Sequence, residues 1–153
     1  EVIEKSDIQF IWQTGKYYSA SIQEQLKGKE IPNLKVLDFI SDMGAAYRAA
    51  DLVISRAGAS SISEFCLIGK PVILVPSPNV AEDHQTKNAM ALVNKDAAVY
   101  VKDCEAPSLL IDKAISIAGD ENKLNSLSEN IKKLGFKNSA DVIADEVIKL
   151  ARR

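Results

Sequence analysis

Ser55–Pro76, SRAGASSISEFCLIGKPVILVP, is the stretch whose reading decides the fold. Asp51 to Ser55 reads as a short apolar strand. It runs into the small residues Ala57-Gly58-Ala59-Ser60-Ser61, and a helix then opens toward Glu64 and Leu67. Gly69-Lys70-Pro71 ends that helix, because glycine accepts the left-handed closing conformation and proline cannot continue the ladder. A second apolar strand, Val72 to Val75, follows at once. Strand, small-residue turn and helix start together make a seat for a phosphate-bearing ligand. The first backbone N–H groups of a helix lack internal partners, and the summed peptide dipoles place about half a positive charge there.

Outward from this unit the alternation continues on both sides. Toward the N-terminus, Glu1 to Asp7 reads as a helix end or linker, and Ile8 to Trp12 as a strand rich in β-formers. Gln13-Thr14-Gly15-Lys16 is its exit loop. Tyr17 to Leu26 is helix-compatible and closed by Gly28, Asn33 to Phe39 is the next strand, and Ser41-Asp42 caps a helix from Met43 to Ala50. In that helix Ala46, Tyr47 and Ala50 share a face. Beyond Val75 a polar loop, Pro76 to Glu82, leads to a helix from Asp83 to Asn94, then to a last strand, Ala97 to Val101. Three helices close the chain: Pro107 to Ala118, Glu121 to Leu134 and Ser139 to Ala151, the last with an apolar stripe of Ala140, Ile143, Ala144, Val147, Leu150 and Ala151. Arg152 and Arg153 stand where a helix C-terminus favours positive charge.

Strands alternating with helices predict an α/β fold, a Rossmann-like parallel sheet with helices on both faces. Ligands of such sheets bind beyond the carboxyl ends of the strands. That rule selects the loops Gln13–Lys16, Phe39–Met43, Arg56–Ser61 and Pro76–Glu82. At 153 residues the chain has room for one domain, spanning 1–153. Its hydrophobic fraction of 46% and charged fraction of 26% fit an ordinary globular protein, and a net charge of −2 supplies no basic field for nucleic acid. The two cysteines, Cys66 and Cys104, lie far apart, and a single histidine, His84, cannot complete a metal set with them, so no metal is expected. No stretch approaches the roughly 20 apolar residues of a spanning helix.

The motifs Ser55-Arg-Ala-Gly-Ala-Ser-Ser-Ile-Ser-Glu64, Gly69-Lys-Pro71, Val75-Pro76 and Glu82-Asp-His-Gln-Thr-Lys-Asn-Ala89 resemble the sugar-nucleotide half of the MurG glycosyltransferases. Gln13 to Lys16 and Phe39 to Met43, with Ala46-Tyr47, support the match, which spans essentially the whole chain. This family adds N-acetylglucosamine to lipid I in peptidoglycan synthesis. The resemblance implies the C-terminal, donor-binding half of a two-domain GT-B enzyme. There the residue matching Ile40 offers its backbone to the uracil of UDP-N-acetylglucosamine. The segment matching Ala59, Ser60, Ser61, Ile62, Ser63 and Glu64 lies along the diphosphate and sugar, with the acid on the ribose diol. Those matching Gln85 and Asn88 lie at the transferred sugar. Arg56, Gly58 and His84 stand as further, weaker candidates.

Read on their own, several of these residues have plainer roles. Ser61 and Glu64 stand in capping-box spacing, so Glu64 could bond back to its own helix start. Gln85 and Asn88 are three apart and could be a polar helix face. Arg56 suits a phosphate or a strand end equally, His84 suits a surface loop, and Asp83, beside Glu82, is expected to cap its helix.

The family's first strand and glycine-rich phosphate loop find no counterpart in Glu1 to Ile8, and its acceptor half is not in the sequence. The expectation is therefore a piece of a longer protein, its first strand missing, inactive alone and without a catalytic residue of its own. The whole enzyme is expected to invert the sugar at its anomeric carbon without cofactor or obligatory metal. It is expected to meet lipid I through the N-terminal half and to sit peripherally on the cytoplasmic face of the bacterial inner membrane. Another GT-B UDP-sugar transferase, a nucleotide-sugar epimerase and a non-catalytic nucleotide-binding module are the alternatives.

Overall fold

A computed structural model describes residues 3–78 and 83–152 of the chain. Five parallel strands alternate with helices, in the order β1 (Phe10–Gln13), α1 (Lys16–Leu26), β2 (Leu34–Leu37), α2 (Met43–Ala49), β3 (Val53–Ser55), α3 (Ala59–Ile68), β4 (Val72–Leu74), α4 (His84–Val93) and β5 (Val99–Tyr100). A 3-10 turn at Asp103–Glu105 then leads to α5 (Ala106–Ala118), α6 (Glu121–Lys132) and α7 (Ser139–Ala151). Every expected element is present, with most strand ends drawn in by one or two residues and β1 running one residue further, to Gln13. Asp42 caps α2 as read from sequence, its Oδ1 accepting from Ala45 N at 2.8 Å.

The strands do not form one sheet. β1 pairs with β2, with Phe10 opposite Leu34, and β3–β4–β5 form a second ladder, with Val53 opposite Val72 and Ile73 opposite Val99. In the doubly wound strand order 3-2-1-4-5-6, this is the pattern left when position 1 is not filled: β2 and β1 on one side, β3, β4 and β5 on the other. The expectation of a sheet lacking its first strand thus takes the form of two ladders, and neither β1 nor β3 has a second neighbour among the described residues. Strands next to such an opening keep apolar side chains in solvent: Ile11 is 53% exposed, Trp12 45% and Ile54 38%.

Around β4 the packing is that of a sheet covered on both faces. Val72 and Leu74 join Phe65, Cys66, Ala89, Leu92 and Ile131 in one cluster, while Ile73 and Val75 point the other way, onto Val101, Ala114, Ile117 and Leu127. α3 closes at Gly69, whose φ of 68° is left-handed and whose N–H returns to Phe65 O. The α6 C-terminus is laid over that end. Ser128 Oγ donates to Gly69 O at 2.7 Å, and Gly135 approaches so closely that a Cβ there would stand 2.7 Å from Cys66 O. Cys66 is buried, and burial pushes its thiol up from its ordinary value; Cys104 is exposed.

The last helix departs from expectation. α7 has the predicted bounds, yet no residue of it is buried, and its stripe stands in solvent, with Ile143 64% exposed, Val147 59% and Leu150 65%. Periodicity reports which face of a helix is apolar, not whether that face has something to cover it. Arg152 closes α7 as expected; Arg153 lies outside the described residues.

Two outcomes are expected from this packing. Gly135→Ala should lower unfolding free energy in a urea titration by about 1–3 kcal/mol, because the new methyl meets backbone and not a flexible side chain. A maleimide at pH 7 should label native protein at Cys104 alone, with Cys66 reacting only after denaturation, as peptide mapping would show.

Candidate functional site

The loops at the carboxyl ends of the strands are tied to one another by side chains. Where β1 ends, Gln13 Oε1 accepts from the Ile40 N–H at 2.8 Å, and Thr14 N donates to Leu37 O at 2.9 Å, so the β1 exit fixes the β2 exit. The Ile40 N–H is therefore engaged by Gln13, and the peptide is held by its donor side. A cavity of about 440 Å³ opens beside it, lined among others by Phe39, Ile40, Ser41, Asp42 and Ala45.

Where β3 ends, the chain turns through Arg56, Ala57 and Gly58 into α3. Gly58 is the N-cap, at φ −68° and ψ 142°, and no side chain caps the helix. Ile62 N reaches back to Gly58 O at 3.0 Å, which leaves the N–H groups of Ala59, Ser60 and Ser61 without an acceptor among the described residues. Ala59 and Ser60 are exposed and Ser61 half-buried, so this first turn is open to solvent. Ser63 Oγ is turned back onto Ala59 O at 3.0 Å.

The capping box read from Ser61 and Glu64 does not form, because the N-cap is Gly58 and Ser61 already lies in the first turn of α3. Glu64 instead accepts from Tyr47 Oη at 3.1 Å, a contact from α2. Tyr47 is also set edge-on against Phe65, ring centroids 5.6 Å apart, which fixes the phenol over α3. Burial, then the hydrogen bond to Glu64 and its negative charge, push the Tyr47 phenol up from its usual value. Each carboxylate oxygen carries two lone pairs, so Glu64 retains acceptor capacity for a pair of hydroxyls.

Arg56 resolves toward the strand ends. Its Nη1 donates to Val75 O at 3.1 Å and Pro76 O at 3.3 Å and pairs with Asp103, joining the exits of β3, β4 and β5. From α4, Gln85 Oε1 accepts from Ala57 N at 3.1 Å and Ser77 N at 2.9 Å, and Asn88 Nδ2 donates to Ala57 O at 3.2 Å. Gln85 and Asn88 do share a face of α4, and that face grips the turn before α3. Asp83 stands at the N-cap of α4 but makes no capping hydrogen bond, because its backbone is left-handed, at φ 54°. His84 opens α4 and is exposed. Glu82 lies outside the described residues. Among the described residues, no three carboxylate, imidazole or thiol groups come together as metal ligands, and no helix is long and apolar enough to cross a membrane.

Candidates on β2–α2, β3–α3 and α4 are thus linked through Gln13, Tyr47 and Ala57. Two of these links were not legible as such. Gln13 gave only the signal of a polar residue at a strand exit, and Tyr47 that of an apolar stripe.

The loops at the strand ends thus assemble a parallel α/β unit with an open helix start, a held carboxylate and a polar face on the next helix. The chain belongs to the glycosyltransferase family 28 C-terminal domain, whose family model matches residues 1–145. Over 149 residues it is 66% identical to the UDP-N-acetylglucosamine--N-acetylmuramyl-(pentapeptide) pyrophosphoryl-undecaprenol N-acetylglucosamine transferase of Bacteroides thetaiotaomicron, covering 97% of this chain and 40% of that protein. The protein of the same name from Cytophaga hutchinsonii is 47% identical over 150 residues, again with 40% of its length covered. The chain thus spans about two fifths of the curated relatives it matches. The crystal structure of MurG from Acinetobacter baumannii superposes with a TM-score of 0.82 at 26% identity, over 97% of this chain and 46% of that one. A kitacinnamycin glycosyltransferase, at 21% identity and TM-score 0.64, shares the fold.

The Tyr47–Glu64 contact carries a pH signature. A phenol that releases its proton at higher pH in the folded chain than in the unfolded one adds stability that is complete below the ordinary tyrosine value of about 10 and is lost as pH rises above it. Thermal unfolding from pH 8 to 11.5 should show Tyr47→Phe losing less stability over the alkaline limb than the parent chain.

Proposed function

We propose that this chain is the donor-binding domain of an inverting N-acetylglucosaminyltransferase that converts lipid I to lipid II, and that it holds UDP-N-acetylglucosamine. The observation that carries the reading is the open first turn of α3 beside the tethered Glu64. Three unpaired amides and the positive end of a helix meet the diphosphate, and a carboxylate one turn on accepts from the ribose diol. The Ile40 carbonyl takes the uracil N–H. Gln85 and Asn88, with Arg56, Gly58 and His84 around them, border the sugar end.

The chemistry follows from where charge grows. As the anomeric carbon–oxygen bond breaks, negative charge develops on the departing UDP, and amides already aimed at the phosphates stabilise it without reorganising. The attacking hydroxyl comes from lipid I, held by a part of the enzyme outside this sequence, and inversion follows from attack on the face opposite UDP. No cofactor is invoked. The whole enzyme sits peripherally at the cytoplasmic face of the inner membrane, where a lipid-linked acceptor is met. The names carried by relatives that are up to 66% identical support this reading over other UDP-sugar enzymes of the same fold.

Isothermal titration of the chain with UDP-N-acetylglucosamine and UDP-galactose tests it. The first is expected to bind more tightly. Glu64→Ala is expected to weaken UDP binding about tenfold, the scale of 1–2 kcal/mol for a lost charge-assisted hydrogen bond, with Tm moved by no more than about 2 °C. Unchanged binding with a lowered Tm would assign Glu64 to the fold alone.

A further inference from the structure

Ala57 is fully buried, and neither polar group of its backbone is satisfied by the sheet or by α3. Both are satisfied by α4: Gln85 Oε1 takes its N–H and Asn88 Nδ2 gives to its C=O. The same Gln85 oxygen takes the Ser77 N–H, just past β4. An amide oxygen has two lone pairs, and both are used. Two backbone N–H groups can only donate, so the side-chain atom facing them must be the oxygen. One helical turn of α4 thus holds the peptide two residues before α3 from both sides and locks it to the exit of the neighbouring strand.

We propose that Gln85 and Asn88 are positioning residues, which fix the Ala57 peptide and through it aim the open amides of α3. The resemblance alone gives these side chains to the transferred sugar. Here their first duty is to the diphosphate seat, and only Gln85 Nε2 and Asn88 Oδ1, which meet no partner among the described residues, remain for a ligand. The two roles separate cleanly. A residue that touches only the transferred sugar has no influence on UDP, which lacks that sugar, whereas a residue that aims the amides does.

What the held turn is for rests on the donor-site reading; that it is held does not. Gln85→Met keeps the length of the side chain and removes the acceptor, while Gln85→Glu keeps the acceptor. Amide hydrogen exchange on the ligand-free chain is expected to quicken on the order of tenfold at Ala57 and Ser77 in Gln85→Met and to stay within about twofold of the parent in Gln85→Glu. Calorimetry with UDP is expected to show a loss of about tenfold in affinity for Gln85→Met. Parent-like exchange in Gln85→Met overturns the clamp, and parent-like UDP affinity overturns its link to the diphosphate seat. Should Gln85→Met fail to fold, tenfold faster exchange at both amides in Gln85→Glu overturns it. If the parent chain binds no UDP while the exchange pattern holds, the donor-site reading falls and the clamp stands.

Discussion

The structure turns on a helix start whose amides are left unpaid. Most helices satisfy their first N–H groups with a side chain from the N-cap; α3 has Gly58 there, which offers none, and starts before the serines that could have served. The unpaired donors tolerate this because the turn is open to water, and the turn stays where it is because everything just behind it is closed. Ala57, one residue earlier, is buried and bonded on both sides. Exposure at 59–61 and complete satisfaction at 57 are two parts of one arrangement.

The rest of the fold supplies the frame for that arrangement. β4 is buried on both faces and fixes β3 and β5 in register, so the ends of these strands share a common level. Arg56 then ties those ends together through two carbonyls and Asp103. Its value lies in geometry more than in ion-pair energy, since the pair is well exposed and screened. α2 adds Tyr47, which carries Glu64, and Gln13 carries the Ile40 loop. The open amides and Glu64 therefore lie on α3 and the Ile40 loop follows β2, each held by a bond from a neighbouring element.

Much of this was legible because local rules sufficed. Gly69-Lys70-Pro71 ends α3, Asp42 caps α2, and alternation of strand and helix gives a parallel ladder, all from chemistry within a few residues. The failures have two causes: the backbone took a conformation the side chains did not announce, or the outcome depended on what lies across space. Ser61 and Glu64 have capping-box spacing, but the chain entered the helix earlier, and Tyr47 reached Glu64 first. Asp83 has the right side chain for a cap and the wrong backbone. The stripe of α7 is apolar at the correct spacing, yet nothing described covers it. The division of the strands into two ladders is likewise invisible to periodicity, which sees each strand and not its neighbours.

The central claim is that the amides of Ala59, Ser60 and Ser61 grip a diphosphate. Amide nitrogen and proton shifts of the chain, followed during titration with UDP and separately with uridine, address it most directly. The account predicts large downfield proton shifts at these three residues with UDP and little change there with uridine. Equal responses to both ligands, or UDP-dependent shifts confined to other parts of the chain, would contradict it.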